Sequence, residues 1–384
     1  MYHKADILTH PSESHKKILV LSSWYPNRTA PFLGNFVQQQ AKLLSEKFQV
    51  TVLYVCIDEQ LSEQEVIEIN YGQLKEIIVY YPKRGTILGR KRALEKAFET
   101  GLKLVDKPGL IHGHCILPKG HLFSKAKKYF NCPLIVTEHG SYFRPERFKK
   151  WSFKERMIAS ITKRSIDKLI AVSDFQRQDM RLYFKGTKIS IVPNPVDTKL
   201  FAPMGVPDDL PIKFLHISTL DPELKNPIGI IEAVDLLCAK DYQQFHLTIV
   251  SDEPYSHLQH EVSRLKLEPY ISFAGPIEHH QLVHFYNQSH GLIMLSKYET
   301  FSIVIAEAWS CGIPVISTPV GIASDMESHL GLTVQNNDAL SLAIEMEKII
   351  NGKSFQRQII REHALQFSKK HVLDQLITIY NSLG

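Results

Sequence analysis

The sequence predicts an α/β protein built from two doubly wound domains, and three observations carry that prediction. Short apolar runs rich in Val, Ile and Leu alternate with longer amphipathic stretches from Lys17 onward. The alternation runs through two separate series, and a proline-dense segment without sustained periodicity lies between them. With 384 residues the chain can form two or three domains, each large enough for its own core. A composition of 44% hydrophobic and 22% charged residues, with 19 Gly and 20 Pro, excludes disordered, collagen-like and low-complexity classes.

In the first series the expected strands are KILVLSS (17–23), VTVLYV (50–55), EIIVYYP (76–82), GLIHGHC (109–115), PLIVTEH (133–139), KLIAVSD (168–174) and ISIVPN (189–194). Most are near-continuous apolar runs, as strands buried on both faces of a parallel sheet should be. Helical segments lie between them; in 34–46, Val37, Ala41 and Leu44 fall on one face at i, i+4 and i+7. The second series has KFLHIS (213–218), HLTIVS (246–251), YISFAG (270–275), GLIMLS (291–296) and PVISTP (314–319), with helices expected near 227–240, 257–267, 280–289 and 303–311. In the first of these helices Ile230, Val234 and Leu237 form the expected buried face.

The segment 192–213 has five prolines in 22 residues and marks a linker. The expected organisation is therefore a Rossmann-like domain over 1–193, a linker over 194–212 and a second Rossmann-like domain over 213–365, the two facing each other across a cleft. The last stretch, 354–382, reads as helical with no strand after it.

The formal net charge of +5 conceals a polarised chain. Residues 1–193 hold 32 Lys/Arg against 18 Asp/Glu, a balance of +14, whereas residues 194–384 hold 13 against 22, a balance of −9. A basic half suits an anionic partner such as a membrane surface, a nucleic acid or a phosphorylated substrate. The five cysteines are widely spaced and include no C-x-x-C, which argues against a disulfide framework or a zinc site and for a reducing compartment. The N-terminal stretch has no apolar core of a secretory signal and no apolar run reaches the length of a spanning helix, so a cytoplasmic protein is expected.

In open parallel sheets ligands bind beyond the carboxyl ends of the strands, so the loops after the strands are the places to look for chemistry. After 291–296 comes KYETFSIVIAEAWSCGIPVISTPVG, which puts Glu299 in the loop and Glu307 eight positions later on the next helix. Between them the backbone N–H groups of Phe301, Ser302, Ile303 and Val304 open that helix and form an anion site. A diphosphate there, with Glu307 accepting hydrogen bonds from ribose hydroxyls, is physically sensible. Two glutamates at this spacing are by themselves a common helix-surface feature.

The wider context is more specific. E-x7-E followed by A-W-S-C-G-I-P-V-I-S-T-P-V-G resembles the signature segment of retaining GT-B glycosyltransferases of family 4, often called glycosyl transferases group 1. KILVLSSWYPNRTAPFLGNFVQQQAKLL is similar to that family's opening strand, glycine loop and helix, with Gly34 and Asn35 where backbone approaches the donor diphosphate. IHGHCILPKG is similar to its H-x-H segment, VTEHGSYF to its T-x-H-G segment, IVPNPVDTKLFAP to its interdomain linker and HISTLDPELKNP to its G-R-L-x-x-x-K-G loop. Residues 366–384 resemble the C-terminal helix that crosses back to the N-terminal domain.

The resemblance implies a GT-B fold with the acceptor bound by the first domain and a nucleotide-diphosphate sugar, of UDP or GDP type, bound by the second. It implies that Glu299 contacts donor-sugar hydroxyls, Glu307 the ribose and Lys225 the diphosphate oxygens, with His114 beside the anomeric centre and the acceptor. His114, Glu299 and Lys225 are thus the expected catalytic set. Breaking a glycosyl–diphosphate bond develops negative charge on the leaving oxygens, so a cation and helix amides aimed there stabilise the transition state. No cofactor and no metal are expected, since no D-x-D triplet and no His/Cys ligand spacing occurs. The chain departs from the family pattern at several positions: Thr219 stands for arginine, Ser302 for glycine, Ser251 and Asp252 for a glycine-rich turn, Ile322 for glycine and Asp325 for glutamate.

His112 and His114 flank Gly113 and, on a strand, point to one face. His114 is nearer the carboxyl end and matches the motif, and His139 ends the neighbouring strand, where it would hydrogen-bond the acceptor or orient His114. RPERFKKWSFKER (144–156) has six Arg/Lys against two Glu, interleaved with Phe148, Trp151 and Phe153, a pattern suited to a membrane interface. Arg147, Lys149, Lys150, Trp151 and Lys154 are the expected membrane-surface residues, on the inner face of an anionic membrane.

The expected function is transfer of a sugar, with retention, from a nucleotide sugar to a saccharide or lipid-linked acceptor in cell-surface glycan synthesis. Thr219 and the altered glycines also permit a second reading, a nucleotide-sugar binder without turnover. Nucleic-acid binding is not expected, because no RRM, KH or zinc motif is present, and a dehydrogenase is disfavoured because no G-x-G-x-x-G follows the first strand.

Overall fold

The structure is a computed structural model that describes residues 17–205 and 210–383. The N-terminal residues 1–16, read above as lacking a signal segment, and residues 206–209 of the expected linker lie outside the described residues. Compactness divides the chain into two units: the described residues up to Glu138 with Trp151–Leu169, and His139–Lys150 with Ile170–Ser382.

The first series folds as β1 (Lys17–Ser22), α1 (Asn35–Leu44), β2 (Gln49–Asp58), β3 (Glu65–Tyr71), β4 (Leu74–Pro82), α2 (Ile87–Leu102), β5 (Leu110–His114), α3 (Gly120–Phe130), β6 (Leu134–Glu138), α4 (Pro145–Lys149), α5 (Phe153–Lys163), β7 (Lys168–Ala171), α6 (Asp174–Tyr183) and β8 (Ile189–Ile191). The sheet order is β3-β4-β2-β1-β5-β6-β7-β8. β1 pairs in parallel with both β2 and β5, so its run Ile18–Leu21 is buried on both faces, as the continuous apolar pattern required.

The sequence reading missed β3. It lies antiparallel to β4 at the sheet edge, reached through Gly72 at φ +67°, and it is only partly buried along its length. An edge strand with Glu65 and Glu68 among its apolar residues has no uninterrupted apolar run to announce it.

The second series continues as β9 (Ile212–Ile217), α7 (Pro227–Ala239), β10 (Phe245–Val250), α8 (Ser256–Arg264), β11 (Ile271–Ala274), α9 (Leu282–Asn287), β12 (Gly291–Met294), α10 (Ile303–Ser310), β13 (Val315–Ser317), β14 (Gly331–Thr333), α11 (Ala339–Ile350), α12 (Arg357–Ala364) and α13 (Lys369–Asn381). Its sheet order is β11-β10-β9-β12-β13-β14, and the ladders are parallel. Strand alternation sorts the apolar residues into two cores. Leu215, Leu292 and Met294 pack on one face with α10 and Trp309, whereas Phe214, Ile293 and Leu295 pack on the other with α7 and α11. Ile230, Val234 and Leu237 of α7 are fully buried there. The short strand β14 was not anticipated, because three residues are too few to show a period.

Candidate active site

Within the second unit the loop after β12 and the start of α10 assemble the densest group of expected site residues. The Lys225 ammonium donates to the Glu299 carboxylate, which also accepts from Ser296 Oγ at 3.0 Å. Both partners are mostly buried, so this is a sheltered ion pair, not a solvated one. Lys225 is aimed by its own turn, where its N–H donates to Asp221 O at 2.7 Å and Lys297 N–H donates to Leu224 O at 2.8 Å.

Ser302 precedes α10 at φ +75° and ψ +88° and makes no side-chain capping bond. The helix therefore begins with first-turn amides that have no intrahelical acceptor, the arrangement that receives an anion. Ile303 and Val304 form that first turn, and Phe301 is buried behind it. Gly321 closes the neighbouring turn at φ +59°, where a Cβ would come within 2.6 Å of Phe301 O and 2.9 Å of Glu299 Cβ. Only glycine allows this approach. Thr219 is exposed on the loop after β9, and the structure records no cation from that position.

Glu307, in the second turn of α10, is almost fully buried. One carboxylate oxygen lies 2.6 Å from His279 Nε2 and the other accepts from Tyr286 Oη at 2.9 Å. Pairing with Glu307 raises the pKa of His279 against the opposing effect of burial, and Asp197 and Lys369 act on it more weakly in opposite directions. Burial first, then Glu307, pushes the Tyr286 phenol well above its ordinary value, so Tyr286 is a fixed donor. Sequence reasoning missed both partners. Neither His279 nor Tyr286 stands at a recognisable spacing from Glu307, and only the fold brings Tyr286 of α9 and His279 in the turn just before it to that carboxylate.

His216, at the end of β9, is buried and neutral: desolvation lowers its pKa to about 4, aided by the charge of Lys225. Its ring bridges Ile293 O at 2.8 Å and Ser218 Oγ at 2.8 Å. His139 is likewise buried, its pKa lowered to about 3 by desolvation and partly restored by a hydrogen bond with Asn194. Both imidazoles are neutral at physiological pH.

In the first unit, His112 and His114 lie on one face of β5 with ring centroids 4.2 Å apart, as i, i+2 spacing on a strand demands. Both are fully buried, and His112 Nε2 is 2.8 Å from Thr137 Oγ1. Glu138 points away from them, accepting from Ile116 N–H at 2.9 Å. Gly34 has φ +69°, and a Cβ there would sit 2.4 Å from Trp24 O, so the loop before α1 is closed against its own backbone; Asn35 opens the helix, exposed. A further basic group, not singled out from the sequence, is Lys119 at the start of α3. It donates to Val55 O at 2.7 Å and lies 4.0 Å from the Tyr54 ring centroid, and burial lowers its pKa to about 8.

The expected membrane-surface group needs one correction. Trp151 is only 5% exposed and belongs to the core, so it offers nothing to an interface. Lys149, Lys150 and Lys154 are exposed, and Arg147 lies 5.0 Å from the Tyr142 ring centroid. The exposed aromatic of this stretch is Phe153, which begins α5, because the Ser152–Glu155 capping box turns the chain there.

Residues 33–200 match the family model Glycosyltransferase Family 4, and residues 199–366 match Glycosyl transferases group 1. An uncharacterized glycosyltransferase of Methanocaldococcus jannaschii is 25% identical over 285 residues, covering 72% of this chain and 76% of that protein. The O-antigen chain mannosyltransferase B of Escherichia coli is 26% identical over 236 residues, covering 56% of this chain and 60% of the relative. Among solved structures, the sucrose-phosphate synthase of Thermosynechococcus elongatus superposes with a TM-score of 0.76 at 20% identity, covering 96% of this chain and 99% of that one, which shows the fold. Two sheets of the GT-B type, with the antiparallel strand β3 at the edge of the first, matched over residues 33–366 by a Family 4 domain followed by a group 1 domain, place this chain among the GT-B glycosyltransferases.

Proposed function

We propose that the protein is a retaining, metal-independent glycosyltransferase that moves a sugar from a UDP- or GDP-linked donor to a saccharide or lipid-linked acceptor in cell-surface glycan synthesis. The observation that carries this reading is the sheltered Lys225–Glu299 pair beside the open N-terminus of α10, with Glu307 one and a half turns into the same helix. A cation, helix amides and two carboxylates on one strand–loop–helix segment suit a ligand that is anionic at its centre and rich in hydroxyls at both ends. The name of the Escherichia coli relative, an O-antigen chain mannosyltransferase, supports a glycan destined for the cell surface.

In this reading residues 213–365 hold the donor, 1–193 the acceptor, 194–212 link them, and 366–384 form the C-terminal helix. Lys225 and the amides of Phe301–Val304 stabilise charge on the departing diphosphate. Glu299 releases Lys225 to the phosphates and takes sugar hydroxyls in exchange. The bond from the anomeric carbon to the diphosphate oxygen breaks, and the acceptor oxygen bonds to that carbon on the same face. The acceptor proton passes to the departing phosphate, and His114 and His139 orient the acceptor. The enzyme works in the cytoplasm, in peripheral contact with the inner face of an anionic membrane. Among the described residues no helix is long and apolar enough to cross a membrane.

The test is a thermal-shift series of nucleotides and nucleotide sugars, because a ligand that binds only the native state stabilises it by mass action. Selective stabilisation by one nucleoside diphosphate and its sugar names the donor, and no response from any of them refutes the reading. Transfer assays then separate an enzyme from a binder without turnover.

A further inference from the structure

We propose that the rim formed by the first turns of α2 and α5 is the docking face for an anionic lipid bilayer, with Ile87, Leu88, Phe153 and Met157 entering the boundary between headgroups and acyl chains. The inference rests on the reading of the protein as a glycosyltransferase with a lipid-linked acceptor, and it assigns the surface that reaches the lipid.

Ile87 is 86% exposed, Leu88 57%, Phe153 84% and Met157 44%. Large apolar side chains this exposed are unremarkable singly, but a group gathered on one rim marks an interaction surface. On α5, Phe153, Met157 and Ile161 recur at i, i+4 and i+8 on the solvent side, while Ile158, Ala159 and Thr162 face the core. At about 100° per residue, Lys154 and Arg156 flank that stripe on opposite sides and Arg164 continues it. On α2 the two apolar residues stand between Lys83 and Arg84 before them and Arg90, Lys91 and Arg92 after them. The turn that presents them is braced: Arg90 donates to Arg84 O at 2.9 Å and Gly85 O at 3.1 Å, and Thr86 caps α2 through Gly89 N–H at 3.0 Å.

The two first turns share one rim because α2 and α5 both lie against α3: Lys125 of α3 bonds Glu99 of α2 at 2.7 Å, Ser124 Oγ of α3 lies 3.5 Å from Ile161 O of α5, and a Cβ on Gly120 would come within 2.5 Å of Thr162 Oγ1. These contacts fall late in α2 and α5 and early in α3, so at about 1.5 Å per residue the first turns of both flanking helices reach roughly 10 Å past the start of α3. His121, in the first turn of α3 and held below its ordinary pKa by burial, accordingly feels Lys91 and Glu95 from α2 and Lys154 from α5. The acids nearby are engaged: Glu155 in the capping box with Ser152, and Glu95 at 4.0 Å from Lys91. The rim therefore presents positive charge around apolar tips. His121 follows Gly120, the first residue of α3, which comes six residues after β5 ends at His114, so the rim lies at the end of the sheet where His114 is found.

Apolar tips ringed by cations match an anionic bilayer, which takes the tips into its boundary region and the cations at its surface. A nucleic acid would use the cations and stacking aromatics, and three of the four tips are not aromatic.

The experiment is flotation of the full chain with vesicles of phosphatidylcholine alone and of phosphatidylcholine with phosphatidylglycerol, alongside the double variant Ile87→Ser/Phe153→Ser. Wild type is expected on the phosphatidylglycerol vesicles only, released by high salt, with the double variant partitioning at least about tenfold more weakly. Equal recovery on both vesicle types, or equal partitioning of variant and wild type, overturns the proposal. So does a wild-type dimer that the variant abolishes without any vesicle binding, since the rim is then a contact between copies. Melting curves of both proteins with nucleotide sugars keep the two readings apart. Vesicle binding without nucleotide response refutes the glycosyltransferase reading alone, and nucleotide response without vesicle binding refutes the docking face alone.

Discussion

His279 Nε2 lies 2.6 Å from a carboxylate oxygen of Glu307, and Tyr286 holds the other oxygen. The residue expected to read a ribose is thus already satisfied on both sides. Of the two partners His279 is the one open to solvent, its side chain 65% exposed while Tyr286 is fully buried, so a hydroxyl arriving from solvent competes with His279 for the carboxylate.

The pair sets a pH dependence with a definite sign. The folded pKa of His279 is raised, so its stabilising contribution is complete below the unfolded value of about 6.5 and is lost as pH rises through the higher folded value. The melting-temperature gap between wild type and His279→Gln should be widest at mildly acidic pH, below about 6.5, and shrink as pH rises through the folded value. A gap that widens with pH contradicts the assignment. Donor affinity should move the other way, strengthening as His279 loses its proton and releases Glu307.

The two buried neutral histidines act in the acid range with the opposite sign. Their folded pKa values are lowered, to about 4 for His216 and about 3 for His139, so below about 6.5 the unfolded chain takes up protons that the folded chain refuses. Each should cost about 1.4 kcal/mol per pH unit between that value and its own folded pKa. Unfolding free energies of His216→Gln from denaturant titrations at pH 7 to 4.5 should fall less steeply than those of wild type by about that slope. Parallel curves would show that His216 is protonated in the native state.

Lys225→Ala leaves Glu299 sheltered without its cation and removes the positive charge beside α10. Turnover should drop by about 10²–10³-fold, the scale of losing one preorganised charge-stabilising group. Glu299→Gln should keep nucleoside-diphosphate binding and weaken the response to the full nucleotide sugar, which calorimetry with both ligands resolves. Equal weakening for both ligands would move Glu299 from the sugar to the phosphates.

Ser302 holds a left-handed backbone that a side chain resists, so Ser302→Gly should raise stability by roughly 0.5–1 kcal/mol after the entropic penalty of glycine. Gly321→Ala is its mirror. The added methyl group meets Phe301 O and Glu299 Cβ, so stability should fall by about 1–3 kcal/mol and activity should fall with it as the Glu299 loop shifts. Paired melts and activity assays of the two variants check both signs.

Much of the fold was legible because its determinants are local. Continuous apolar runs announced strands buried on both faces, such as β1 and β12, and the 3.6 period placed the buried face of α7 on Ile230, Val234 and Leu237. The edge strand β3 and the three-residue β14 escaped because neither carries a periodic signal. Trp151 read as an interface aromatic from its basic neighbours, yet the capping box that starts α5 turns it inward and leaves Phe153 outside.

The sequence alone determined the α/β architecture with its two series and the charge polarity of the halves, and it singled out Lys225, Glu299 and Glu307 as candidates for the chemistry. All of these are properties of neighbours along the chain. Only the tertiary structure decided what those residues touch. Glu299 is paired with Lys225 across 74 positions, and Glu307 is held by a histidine and a tyrosine from 28 and 21 positions away. A carboxylate spends its hydrogen-bonding capacity on whichever donors the fold packs against it, and no spacing along the chain encodes which donors those are.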